Sequence, residues 1–237
     1  MLSIVATPIG NLSDMAPRAV EALRKAEIIA CEDTRRTWAL LSHFGIPRPS
    51  VFLSYRQGNE EAVGERLLAA LESGKEVALC CDGGTPGISD PGYRLVSAAA
   101  QRDLPMTLLP GACAAVAAVV LSGLPTSSFT FKGFPPRKPG ALRRFFADDA
   151  DRPHTLVVYE APYRIRATLA AALDALGDRR CALCMELTKI HERVLRGWLS
   201  DVLAELGDKD PKGEGIIVVA GNHPDFTRGP AAEPPAQ

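Results

Sequence analysis

The stretch EVALCCDGGTPGISDPG, from Glu76 to Gly92, constrains the fold more than any other. Val77 to Cys81 is a short apolar run with no polar face, which suits a buried strand of a parallel sheet. The run stops at Asp82, and Gly83, Gly84, Pro86, Gly87, Pro91 and Gly92 follow. Tyr93 to Ala100 then reads as helix. The order is strand, long rigid loop, helix. In an open α/β sheet, ligands bind outside the carboxyl ends of the strands. Glycines there let a ligand approach the backbone, and prolines hold the loop's shape. Such a loop can also be a tight connection with Asp82 as a cap. Its length, its prolines and its carboxylate favour the ligand.

The same alternation runs through the first half. Strands are expected at 4–6, 28–31, 51–54 and 106–109, with helices at 18–25, 38–44 and 60–73. Alternating strands and helices at this spacing mean βαβ units and a mostly parallel sheet. Residues 114–121 form an apolar, small-residue helix, expected to be buried on all sides and to connect two domains. The second half repeats the alternation, with strands at 129–134, 155–159, 181–187, 193–198 and 216–220. The expected organisation is an N-terminal α/β domain over 1–113, a C-terminal α/β domain over 114–222, and a disordered Pro-, Ala- and Glu-rich tail over 223–237. A cleft between two such halves is a common place for a ligand.

Composition sets limits. The formal net charge is −1, which excludes nucleic-acid binding through overall basicity and leaves room for a local patch. No apolar run is long enough to span a membrane. No basic region precedes the first apolar stretch, which argues against a signal peptide; the expected location is the cytoplasm. Of the six cysteines, Cys181 and Cys184 form a lone C-x-x-C with no second pair at zinc spacing. The four histidines form no metal-spaced set, so no metal is expected. Walker, G-x-G-x-x-G and G-x-S-x-G motifs are absent.

Polar residues collect at strand ends: Thr7 and Pro8, Glu32 to Arg35, Asp82 to Ser89, Pro110 to Cys113, Glu160 to Pro162, and Thr188 with Lys189. In parallel sheets these ends share one edge. The segment KGFPPRKPGALRR, Lys132 to Arg144, carries five basic residues and no acidic one, with Phe131 and Phe134 beside it. It reads either as a solvated loop or as a phosphate-tracking patch with aromatics for stacking.

Taken together, VATPIGNL (5–12), EDTR (32–35), DGGTPGISDPG (82–92), SGLP (122–125), GFPPRK (133–138), YEAP (159–162) and ELTK (186–189) resemble the small-subunit ribosomal RNA methyltransferases of the tetrapyrrole methylase superfamily. The resemblance runs from about residue 2 to 221. It implies two α/β domains with S-adenosylmethionine in the cleft between them, usually in a homodimer. It also implies methyl transfer to the ribose 2′-hydroxyl of a cytidine in small-subunit (16S) rRNA. By position, the cofactor would meet Thr7, Pro8, Asp82, Gly83, Thr85, Ile88, Cys113, Ala114, Glu160, Ala161 and Thr188. The RNA would meet Arg35, Lys132, Arg137, Lys138 and Arg164. A ribose hydroxyl needs its proton removed or polarised, and Glu32, Asp33 and Lys189 are the candidates. Lys189 would serve only if burial depressed its pKa. Two residues depart from the family pattern. Cys113 stands where a serine is usual, and Tyr163 where a histidine is common. Other readings are a porphyrin or corrin C-methyltransferase on the same fold, and a non-catalytic cofactor- or RNA-binding module.

Overall fold

In a computed structural model, residues 1–207 and 211–229 are described. The chain divides into two compact units, the first ending at Cys113 and the second beginning at Ala114.

The first unit runs β1 (Leu2–Val5), α1 (Pro17–Lys25), β2 (Ile28–Cys31), α2 (Thr34–His43), β3 (Val51–Ser54), α3 (Glu60–Glu72), β4 (Val77–Leu79), α4 (Tyr93–Gln101) and β5 (Met106–Leu109). Its sheet is wholly parallel, in the order β3-β2-β4-β1-β5. Side chains of a strand alternate between faces. Leu2, Ile4, Ile28, Ala30, Val77 and Leu79 pack with Leu67, Leu71, Leu95 and Ala99 of α3 and α4. Val5, Ile29, Cys31, Ala78 and Cys80 pack with Ala19, Leu23 and Leu41 of α1 and α2. Both faces are covered, so the strands read as continuous apolar runs. The crossovers β1–β2 and β2–β3 run one way along the sheet, and β3–β4 and β4–β5 run back. Right-handed crossovers then require α1 and α2 on one face and α3 and α4 on the other.

The second unit runs α5 (Ala114–Ser122), β6 (Phe129–Phe131), α6 (Pro139–Ala147), β7 (Thr155–Glu160), α7 (Ile165–Leu176), β8 (Asp178–Met185), β9 (Arg193–Trp198), α8 (Leu199–Leu206), β10 (Gly215–Val219) and β11 (Thr227–Arg228). Its main order is β11-β8-β10-β7-β6, with β9 also on β8. Here the sheet is mixed rather than mostly parallel: β6 and β7 are parallel, and every other pairing is antiparallel. Leu142, Phe146, Ile165, Leu169, Leu176, Leu199 and Val202 of α6, α7 and α8 close one face. On α5, Ala115, Ala118 and Val119 are buried, whereas Val116 is 49% and Val120 66% exposed, so this helix is not buried all round.

The disordered tail expected from residue 223 is contradicted over residues 223–229. His223 caps a short turn, Pro224–Phe226, through its imidazole, and β11 pairs with β8. Arg228 holds the end by ion pairs to Asp178 and Asp201 and by stacking on the Trp198 ring. Residues 230–237 lie outside the described part.

Candidate active site

The parallel register puts the carboxyl ends of β1, β2, β4 and β5 at one edge of the first sheet. Hydrogen bonds join these ends into one surface. Thr7 and Gly84 exchange backbone hydrogen bonds at 2.9 Å each, a bridge between the β1 and β4 loops. The buried Thr7 hydroxyl donates to the Cys81 carbonyl at 3.1 Å. The Thr85 hydroxyl donates to the Ala112 carbonyl at 3.1 Å, fixing the β4 loop to the segment that leads to Cys113. Close approach of the backbone favours glycine at two positions. A Cβ on Gly83 would stand 3.3 Å from the Pro8 carbonyl oxygen. Gly92 has φ +148°, and its Cβ would stand 3.0 Å from the Gly87 nitrogen.

Asp82 faces the start of α2. Its Oδ1 accepts from the Asp33 amide at 3.0 Å, and its Oδ2 lies 3.5 Å from the Arg36 guanidinium. Asp33 is the N-cap of α2, accepting from the Arg35 amide at 2.8 Å. Its carboxylate also pairs with the Arg35 guanidinium at 2.8 Å. Those bonds hold Asp33 well below the usual carboxylate range, so it is a poor base. Arg35 is thereby folded back on the cap, and its side chain is 90% exposed. Glu32 differs. Partial burial first, then the nearby Asp82 and Asp90 carboxylates, raise its pKa above the ordinary value. Thr7, Pro8, Leu12, Arg36, Thr37, Leu40, Cys81 and Asp82 are among the residues lining a cavity of about 220 Å³ at this edge. Ile88 and the half-buried Cys113 complete the expected first-unit set.

The second unit has its own polar edge, where β6, β7 and β8 end and β10 begins. Glu160 is wholly buried. Its carboxylate accepts from the Ala161 amide at 2.8 Å and the Thr168 hydroxyl at 2.5 Å, and lies 3.4 Å from Arg164. Arg164 also donates to the carbonyls of Pro135 and Pro136 at 3.3 and 2.8 Å. Both side chains therefore brace the loop, a role different from the ligand contacts expected of them. Lys132, expected at the RNA, is likewise engaged: it pairs with Asp149 at 2.5 Å and donates to the Phe145 carbonyl at 2.7 Å. Arg137 and Lys138 are exposed and have no ion pair among the described residues, and Phe134 and Tyr163 are 59% and 66% exposed.

After β8 the backbone is strained, with φ +51° at Glu186 and +66° at Thr188. The Glu192 carboxylate accepts from the Thr188 amide at 2.7 Å. Lys189 Nζ lies 3.0 Å from both Glu186 and Glu214. Burial alone would lower the Lys189 pKa, but the two carboxylates outweigh it and raise it. A base would need the opposite shift, so of the three candidates only Glu32 is tuned toward that role. Cys181 and Cys184 are buried within β8, three residues apart and so on opposite faces, and burial pushes their thiols up to about 12 and about 11. They do not converge on one ion. Among the described residues no group of three or more His, Cys, Asp or Glu is arranged to hold a metal. Nor is any helix long and apolar enough to cross a membrane.

Sequence reasoning missed Arg36 and Thr37, which line the cavity, and Asp90, which acts on Glu32. A helix started at Thr34 behind an Asp33 cap would have found the first two, because it turns Arg36 and Thr37 differently from Arg35.

A parallel α/β unit with a rigid loop at the strand ends, followed by a mixed α/β unit, defines a class. Residues 1–203 match the family of Tetrapyrrole (Corrin/Porphyrin) Methylases. The chain is 44% identical over 226 residues to "Ribosomal RNA small subunit methyltransferase I" of Synechocystis sp., covering 95% of this chain and 80% of that protein. It is 46% identical over 223 residues to the protein of the same name from Xylella fastidiosa, covering 93% and 81%. Among solved structures it is similar to diphthine synthase (TM-score 0.69, 16% identity, 93% of this chain and 89% of that one). Uroporphyrin-III-C-methyltransferase from Thermus thermophilus is also similar (TM-score 0.61, 22% identity, 92% and 93%). The chain belongs to the tetrapyrrole methylase family and, within it, to the group of small-subunit ribosomal RNA methyltransferases I.

Proposed function

We propose that this methyltransferase moves a methyl group from S-adenosylmethionine to the ribose 2′-hydroxyl of a cytidine in small-subunit rRNA. The observation that carries the reading is the bonded edge of the first sheet, with Glu32 at its rim as the one candidate base of raised pKa. The chemistry of this edge fits the cofactor, which bears a sulfonium, an amine, a carboxylate and ribose hydroxyls. Backbone groups of the Gly83–Thr85 loop offer donors and acceptors, and Glu32 offers negative charge near a cation. Thr7, Pro8, Gly83, Thr85, Ile88 and Cys113 would hold it, with Asp82 contributing through its backbone. In the second unit Ala114, Ala161 and Thr188 remain as expected contacts, and the engaged Glu160 carboxylate would act only by shaping its turn.

When bound, the cofactor supplies an electrophilic methyl on sulfur. Glu32 accepts the proton of the attacking hydroxyl. The rigid loop fixes the geometry of approach, which supplies much of the rate in a displacement of this kind. Arg137 and Lys138, with Phe134 and Tyr163 nearby in sequence, supply phosphate contacts and stacking faces for RNA. The enzyme works in the cytoplasm as a homodimer, for which the exposed Val116 and Val120 on α5 are a candidate face.

The test supplies methyl-labelled S-adenosylmethionine with either small ribosomal subunits that lack the modification or a uroporphyrinogen-type tetrapyrrole. Label in RNA is the expected result. Label in the tetrapyrrole and none in RNA would overturn the reading.

A further inference from the structure

The cavity beside Asp82 shares Thr7 and Pro8 with the proposed cofactor contacts but is too small to enclose the whole cofactor. It measures about 220 Å³, below the roughly 300–1,000 Å³ of pockets that enclose a whole drug-sized ligand. A cavity of about 150 Å³ accepts a benzene ring. The space therefore suits one substituted six-membered ring. Its lining is two-sided: Pro8, Leu12 and Leu40 are apolar, while Arg36 and Asp82 are polar. Such a wall matches a flat heterocycle with apolar faces and a polar edge.

The polar groups are also oriented. Both contacts of the Asp82 carboxylate lie at the start of α2, on the Asp33 amide and the Arg36 guanidinium. At 3.5 Å the Arg36 pair is loose, and the Arg36 side chain is 71% exposed, so it is free to exchange partners. The Thr37 hydroxyl is buried against the thiols of Cys31 and Cys80 and does not reach the cavity. Glu32 is adjacent, since its carboxylate accepts from the Asp82 amide.

We infer that this cavity receives the target cytosine, unstacked from the RNA, and selects it over uracil. The inference rests on the rRNA reading above. Reading the pairing edge of a base in a pocket requires that base out of its stack, as in enzymes that hold a flipped base. The cytosine edge has one amino donor and two acceptors. The Asp82 carboxylate accepts from the amino group, and the Arg36 guanidinium donates to the ring nitrogen and carbonyl oxygen. Uracil offers an acceptor where cytosine has the amino group, so it would face the carboxylate unpaired.

The experiment compares kcat/KM for small subunits carrying cytidine or uridine at the methylated position. The wild type should prefer cytidine by roughly 5- to 150-fold, the range of one good paired contact. Arg36→Ala, which removes the donor to the ring nitrogen and carbonyl oxygen, should reduce that preference while calorimetric affinity for S-adenosylmethionine stays within twofold. Leu40→Trp, which fills the cavity, should abolish RNA methylation with the same affinity retained. That retained affinity reports a folded protein in both variants. Equal rates on cytidine and uridine in the wild type, or an unchanged preference in Arg36→Ala with full activity in Leu40→Trp, would overturn the pocket while leaving the rRNA reading intact. Label on neither RNA but on another acceptor would overturn both.

Discussion

Arg164 lies 3.4 Å from the buried carboxylate of Glu160 and reaches onward to the carbonyls of Pro135 and Pro136. One guanidinium thus neutralises a buried charge and pins the loop that carries Arg137 and Lys138. Arg164→Ala should destabilise the protein by about 3–5 kcal/mol, because an uncompensated buried carboxylate remains. Adding Glu160→Gln should recover part of the loss in a thermal melt. A melt unchanged by the single substitution would contradict the pairing.

The pH dependence follows from Glu32. Burial and the Asp82 and Asp90 carboxylates raise its pKa in the folded chain. The rate should fall as pH drops through that raised value, with an inflection above about 4.3. Glu32→Gln should remove the inflection and lower kcat by roughly 10²–10⁴-fold. Stability moves the other way. The native state binds this proton more tightly than the unfolded chain, so the contribution is present below the unfolded value and is lost as pH rises through the folded one. Ionised Glu32 is a cost at neutral pH, and Glu32→Gln should raise Tm at pH 7 more than at pH 4.

Gly92 closes the loop against Gly87, where a Cβ would stand 3.0 Å from nitrogen at φ +148°. Gly92→Ala should cost about 1–3 kcal/mol by backbone strain and weaken S-adenosylmethionine binding. Gly140 on α6 meets nothing within 4 Å, so Gly140→Ala should be neutral or slightly stabilising. Calorimetry and melting on both variants check the contrast.

RNA binding should separate Lys132 from its neighbours. If Arg137 and Lys138 contact phosphate, replacing each by Ala should reduce the slope of log K against log salt by about 0.7–0.9. Lys132→Met should lower Tm through loss of Asp149 and leave the slope unchanged.

The first sheet was legible because strands buried on both faces are written as apolar runs, and polar residues mark where they stop. Val77 to Asp82 is the plainest case. Strand direction is not written that way. The runs at β8 and β10 look like those of β2 and β4, yet β10 lies antiparallel to both its neighbours. The turn and strand at 224–228 were hidden by a polar, Pro-containing composition, and their order comes from distant Asp178, Asp201 and Trp198. The same holds at the site. Residue type marked Glu32, Asp33 and Lys189 as equivalent candidates. Their partners separate them: Arg35 lowers Asp33, Glu186 and Glu214 raise Lys189, and burial with Asp82 raises Glu32.

The most direct measurement digests small subunits, methylated by this protein in vitro, to nucleosides and analyses them by mass spectrometry. The account predicts one new modified nucleoside, cytidine bearing the methyl group on its ribose. A methyl group on a base, or on the ribose of another nucleoside, would contradict it.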